Sequence, residues 1–217
     1  MAVVPPLFRI LCLTLLGGCL QAADENYFGL QSYLALPQSD LKQWTGSSPG
    51  YGLGFHVLMD RGNGEAFRPR FEIAYFQGKP TLDVPVPAIG ALPGSPTPQE
   101  RHTLDNKFIM MSMGLDSLYY FKGFTDEGAY LFLGFGLTST QLLSQVAPDP
   151  AGPGQRWPQA GTRFTDSSVK ANLGFGGGYQ LKNRFGVEVR LNRVRGAFGP
   201  ANLWLTSVSL GTTYRFP

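Results

Sequence analysis

Two histidines, His56 and His102, and a spread of carboxylates are the residues of this 217-residue chain that could do chemistry. A metal site needs three or four convergent ligands, and no second histidine lies near either one. His56 therefore reads as part of a polar interior and His102 as a rim residue. Acyl transfer needs a serine, a histidine and a carboxylate in mutual reach, and no motif in the chain announces one. Glu72 and Glu188 could form an acid/base pair, but both fall at positions where a structural ion pair accounts for them. "GFGGG" at 174–178 looks like a phosphate loop, yet neither Lys-Ser/Thr nor a helix follows it. Cys12 and Cys19 are the only cysteines and both sit near the N-terminus, so a thiolate nucleophile, a cysteine metal site and a disulfide framework are not expected downstream. No catalytic residue, cofactor or metal is expected, and the chain reads as a non-enzyme.

The elements that must carry these residues show one period. After the N-terminal segment there is no 3.6-residue apolar stripe and no run of about 20 apolar residues. Alternation recurs instead, in eight runs at 26–36, 50–61, 68–80, 102–121, 129–146, 169–181, 185–195 and 202–216. Short connectors such as "RGNGEAF", "KGFTDEG" and "KNR" alternate with long ones such as "PQSDLKQWTGSSP", the Pro-rich "VPVPAIGALPGSPTPQE" and "APDPAGPGQRWPQAGTRFTDSS". Long and short turns therefore fall at opposite ends of a meander.

One face of these runs is apolar. It carries, for example, Leu53, Phe55 and Val57, Met111 and Met113, Leu131, Leu133 and Phe135, and Leu210, Tyr214 and Phe216. The other face carries glycines and charge: His56, Asp60, Arg70, Glu72, Asp116, Lys170, Glu188, Arg190 and Arg215. Soluble sandwiches and lipocalins bury the greasy face and wet the polar one. Here the bulky aromatics share a face with nothing polar, while glycine makes room on the charged face. That inversion predicts an all-β fold: an eight-stranded antiparallel up-and-down transmembrane β-barrel with short periplasmic turns and longer extracellular loops. A soluble ligand-binding barrel is the competing reading. Tyr51, Tyr75 and Trp204 fall toward the long-loop end, and Tyr119, Phe121, Phe185, Tyr214 and Phe216 toward the short-turn end, as two interfacial girdles require.

The N-terminus agrees with export. "MAVVPPLFRILCLTLLGGCLQAADEN" has one basic residue, a short apolar run and small residues before its first acids, so 1–23 reads as a signal peptide cleaved after Ala22 or Ala23. "LGGC" ending at Cys19 is a rival lipobox. Residues 24–217 form the barrel. Charged residues are only 15% of the chain, low against about 25% for soluble domains. Loss of Arg9 with the leader leaves 17 basic and 15 acidic side chains, a near-neutral balance that does not point to nucleic acid.

"VSLGTTYRF" resembles the C-terminal signature of bacterial outer-membrane proteins, and "VKANLGFGGGYQLKNRFGVEVRLNRVRG" resembles the penultimate hairpin of small OmpA-type and OmpX-type barrels. The resemblance implies that Tyr214 and Phe216 are read by the barrel-assembly machinery; Pro217 departs from a family that ends on the aromatic. It also implies outer-membrane lipid and lipopolysaccharide as surroundings. The peptidoglycan-binding domain that follows the barrel in OmpA proper is not carried over. His56, Asp60, Arg70, Glu72, Asp116, Lys170, Glu188, Arg190 and Arg215 are expected to pair four acids with four bases in a bore that side chains just fill. Such networks block or gate conduction in that family. The expected function is a structural or surface-interacting outer-membrane barrel. A narrow channel or small-ligand transporter is the alternative, and a lipid-modifying enzyme a further one. Lipid A deacylases place His and Ser two apart on a lipid-facing strand, whereas the contexts here read "HVL" and "HTL".

Overall fold

The computed structural model describes residues 26–87, 99–123, 125–146, 163–182, 184–198 and 201–216. Residues 1–23, where a signal peptide is expected, with both cysteines, and Pro217 lie outside the described residues, as do 88–98 and 147–162 of the long connectors.

The alternating runs become strands: β1 Asn26–Gln38, β2 Gly50–Gly62, β3 Glu65–Gln77, β4 Thr81–Pro87, β5 Gln99–Tyr120, β6 Gly128–Val146, β7 Arg163–Gln180, β8 Phe185–Phe198 and β9 Ala201–Arg215. Antiparallel pairs run β1–β2, β2–β3, β3–β5, β5–β6, β6–β7, β7–β8 and β8–β9, and β9 returns to pair with β1 from Gly29↔Arg215 to Gln38↔Thr206. Eight strands therefore close on themselves. Closure removes the open edges that a membrane could not hydrate.

Two elements depart from the expected meander. The Pro-rich connector expected after β3 gives its first four residues to a strand, since "TLDVPVP" forms β4, which pairs with the first residues of a lengthened β5. Proline is tolerated there because β4 is an edge strand. Since β3 and β4 pair with successive stretches of the same side of β5, this hairpin projects past the barrel at the long-loop end. The second element is a short helix, α1 Ser39–Thr45, within the first long connector. Seven residues leave no room for a visible 3.6-residue period. Its fold comes from tertiary docking instead: Asp40 Oδ2 accepts from Trp204 N at 2.8 Å, and Trp44 O accepts from Lys79 N at 2.6 Å. β7 also begins six residues before its predicted start of 169, inside what was read as connector.

The outward face is apolar as expected, with Leu53, Leu133, Phe135 and Leu173 all exposed. Val57 and Met113 belong to that set but are buried; each faces a bulky neighbour across the ladder, Phe28 for Val57 and Phe71 and Leu137 for Met113. The inward face is less uniform than its expected mixture of glycine and charge. At the long-loop end Ala35, Ala74, Phe76, Phe108, Met110, Val194 and Leu205 gather around Leu41 of α1, with Trp44 packed on them. At the short-turn end Leu58, Ala66, Leu118, Tyr120, Tyr130 and Phe132 make a second apolar layer. The ion pairs of the bore gather in the middle, between these two layers.

Candidate functional site: an ion-pair cluster across the bore

Strand β3 aims Arg68, Arg70 and Glu72 inward because residues two apart share a face. Its neighbour β5 contributes Asp116, and β8, from the opposite side of the closed sheet, contributes Glu188 and Arg190. Asp116 is the hub, with 0% of its surface exposed. Its Oδ2 accepts from Arg68 Nε at 3.0 Å and Nη2 at 2.8 Å, and its Oδ1 from Arg70 Nε at 3.0 Å and Arg190 Nη1 at 3.2 Å. A short hydrogen bond from Arg190 Nη2 to Oδ2 completes the set.

Glu188 is the second hub. It accepts from Arg68 Nη1 at 2.5 Å, Tyr130 OH at 3.0 Å, Gln31 Nε2 at 3.3 Å and Arg190 Nε at 3.4 Å. Glu72 accepts from Arg70 Nη1 in a short pair. The Phe132 ring lies 5.0 Å from the Arg68 guanidinium and 4.3 Å from that of Arg190, adding cation–π attraction in a dry setting. Three guanidinium groups thus meet three carboxylates from both sides of the bore. Breaking such a buried pair by removing one partner costs about 3–5 kcal/mol, because the charge left behind has no water to turn to.

Sequence reasoning located most of this cluster and misplaced its ends. Arg70, Glu72, Asp116, Glu188 and Arg190 come together. Arg68 was not among the expected residues, although it shares the parity of Arg70 and Glu72 and, like Arg190, bridges Asp116 and Glu188. Asp60 sits outside the cluster near the short turns, where its Oδ1 accepts from Gly62 N at 2.7 Å and its Oδ2 from Thr125 Oγ1 at 2.6 Å. Lys170 is half-buried, opposite Thr138 on β6 and toward the long-loop end. Arg215 is buried at the short-turn mouth and donates to Thr125 O at 2.6 Å and, in a short bond, to Tyr120 OH. The expected balance of four acids and four bases is therefore corrected to three and three, since strand parity reports the face and not the height along the bore. His56 is buried beside Gly29, where a Cβ would come within 2.2 Å of its Nε2. The side chain of His102 is outside the described residues.

Glycine gives the cluster its room. Gly134 faces Asp116 across the β5–β6 ladder, and a Cβ there would stand 2.0 Å from Asp116 Oδ1. At the closing seam Tyr214 packs on Phe185 with centroids 4.9 Å apart and on Phe216 at 5.0 Å, while Phe216 N donates to Phe28 O at 2.7 Å.

A closed eight-stranded antiparallel barrel, apolar outside and charged at its centre, is the fold of small outer-membrane β-barrels of the OmpA and OmpX type. The crystal structure of Ail, the attachment invasion locus protein of Yersinia pestis, superposes with a TM-score of 0.53 at 11% identity, over 88% of this chain and 97% of that one. Ail in complex with the heparin analogue sucrose octasulfate gives 0.52 at 10% identity, over 88% and 97% of the two chains. The N-terminal β-barrel domain of Pseudomonas aeruginosa OprF gives 0.48 at 14% identity, over 88% and 98%. No family profile matches the chain, and no curated protein sequence matches it.

Proposed function

We propose that the protein is an integral outer-membrane barrel without enzymatic activity, which holds its long connectors at the cell surface as a structural or surface-interacting element. The observation that carries this reading is the filling of the bore. An apolar cap with α1 in it, the ion-pair cluster, and an aromatic layer lie one behind another from the long-loop end to the short-turn end. Both oxygens of Glu188 and of Asp116 are taken up by structural donors, which leaves neither carboxylate free to move a proton. The outer apolar face meets outer-membrane lipid and lipopolysaccharide, and the projecting β4–β5 hairpin reaches the surface. Residues 1–23 direct export, and Tyr214 and Phe216 are the groups read by the barrel-assembly machinery.

Planar-bilayer recording on the refolded protein tests the blocked bore. The expected result is no steady single-channel current in the wild type. A regular ohmic current that disappears in Arg190→Gln would instead assign a narrow channel.

A further inference from the structure

The short-turn mouth holds a polar cavity of about 720 Å³ whose walls carry Lys122, Lys182, Arg184 and Arg215 against Asp126 and Glu127. Glu127 spends its carboxylate on the two lysines, with Oε1 at 3.2 Å from Lys122 Nζ and Oε2 at 3.3 Å from Lys182 Nζ. Of the lining residues this leaves Asp126 as the one acid not paired to a lysine.

Arg215 is the unusual member. It is 5% exposed, as buried as the arginines of the central cluster. Arg68, Arg70 and Arg190 each bond carboxylates. Arg215 donates only to neutral acceptors, the Thr125 carbonyl and the Tyr120 hydroxyl, and its Nε has no hydrogen-bond partner among the described residues. Among the described residues no carboxylate pairs with it directly, although Asp60 accepts from the same Thr125, and a buried cation without an ion-pair partner is costly. Its backbone is tied to the second arginine, since Arg215 N donates to Arg184 O at 3.1 Å. Among its described lining residues the cavity thus has a surplus of two positive charges and an open side to solvent.

We propose that this cavity binds a phosphate group, held by Arg215 and Arg184 with Lys182 at its rim. Free phosphate carries about −1.5 to −2 charges at neutral pH, which matches the surplus, a phospholipid's phosphodiester carries a single charge and leaves part of it unmatched, and guanidinium donors suit the oxygens of both. The group comes from one of two sources, the headgroup of a phospholipid in the adjoining leaflet or a free phosphate in the compartment that the short turns face. The lipid source rests on the membrane reading above; the free-phosphate source does not.

The test uses protein purified in detergent from membranes of the expressing cells, with heat-modifiable gel migration as a separate check that the barrel is closed. Inorganic phosphate is titrated by calorimetry in chloride buffer. In a second arm, native mass spectrometry from mixed phosphatidylglycerol and phosphatidylcholine nanodiscs reads which lipid stays bound. Lys182→Gln with Arg184→Asn removes two exposed cations, and asparagine tolerates the left-handed backbone (φ 72°) of residue 184. The expected result is saturable binding in one arm, which names the source, weakened at least tenfold in the double variant and in Arg215→Gln. Absence of preference in both arms, or equal binding by wild type and the double variant, overturns the proposal.

Discussion

Asp116 takes hydrogen bonds from three arginines, so neutralising it strands more charge than any other single change inside the barrel. Asp116→Asn is expected to lower the unfolding free energy by about 3–5 kcal/mol, measured by urea titration of the refolded protein. Lys170→Gln, at a half-buried position beyond the cluster, is expected to stay within about 0.5 kcal/mol of wild type. Equal effects from the two substitutions would mean that the cluster is not the centre of the bore. Gly134→Ala is expected to be as severe as Asp116→Asn, because the added methyl would occupy the place of Asp116 Oδ1 and the backbone opposite is fixed by the ladder; a folded, fully stable Gly134→Ala protein would contradict that packing. The inward charges were legible one by one from parity, and their partners were not. Parity places Asp60, Lys170 and Arg215 on the same face as Asp116 but says nothing of where along the axis they sit. Arg68 opens its run on the same face as Arg70 and Glu72, so its parity was readable.

At the scale of the element, strands were legible because an apolar outer face and a packed bore enforce alternation along the whole span. Elements outside that constraint were not. Helix α1 is held by Leu41, which is fully buried in the apolar cap, and by the Asp40 and Trp44 bonds to the neighbouring strands. Leu41→Ala should therefore release the helix without opening the barrel: amides of 39–45 lose hydrogen-exchange protection while those of β6 keep theirs. Loss of protection in both would show that the cap is needed for closure. Inward bands of Phe, Tyr and Leu were hidden for a related reason. In β6, Tyr130 and Phe132 point in while Leu131 and Leu133 point out, so both parities look apolar and alternation alone cannot assign them. The turn carrying Lys122 and Glu127 makes a smaller statement. The hydrogen bond from Lys122 holds the exposed Glu127 carboxyl below its ordinary range. Its stabilising effect is therefore present above the unfolded carboxylate value and lost as pH falls through the lower folded one. Glu127→Gln should be slightly less stable than wild type at neutral pH and indistinguishable from it in strong acid, by the same urea titration at low salt.

For the molecule as a whole, the closed ladder, the order of long and short connectors and the inverted faces were all available in the sequence, and they fix a barrel whose outer surface suits hydrocarbon. The direct test is site-directed spin labelling in lipid bilayers, made simple because the only cysteines are Cys12 and Cys19 near the N-terminus. Labels are placed by Leu53→Cys, Leu133→Cys and Leu173→Cys on the outer face, where Leu133 is 66% exposed, and by Ser209→Cys on the inner one. Collision with dissolved oxygen, which concentrates in hydrocarbon, is compared with collision with a water-soluble nickel chelate. The account predicts that the three outer labels meet oxygen and exclude nickel, while the inner label is shielded from both. Nickel access at Leu53, Leu133 and Leu173 would contradict it and return the chain to the soluble ligand-binding barrels.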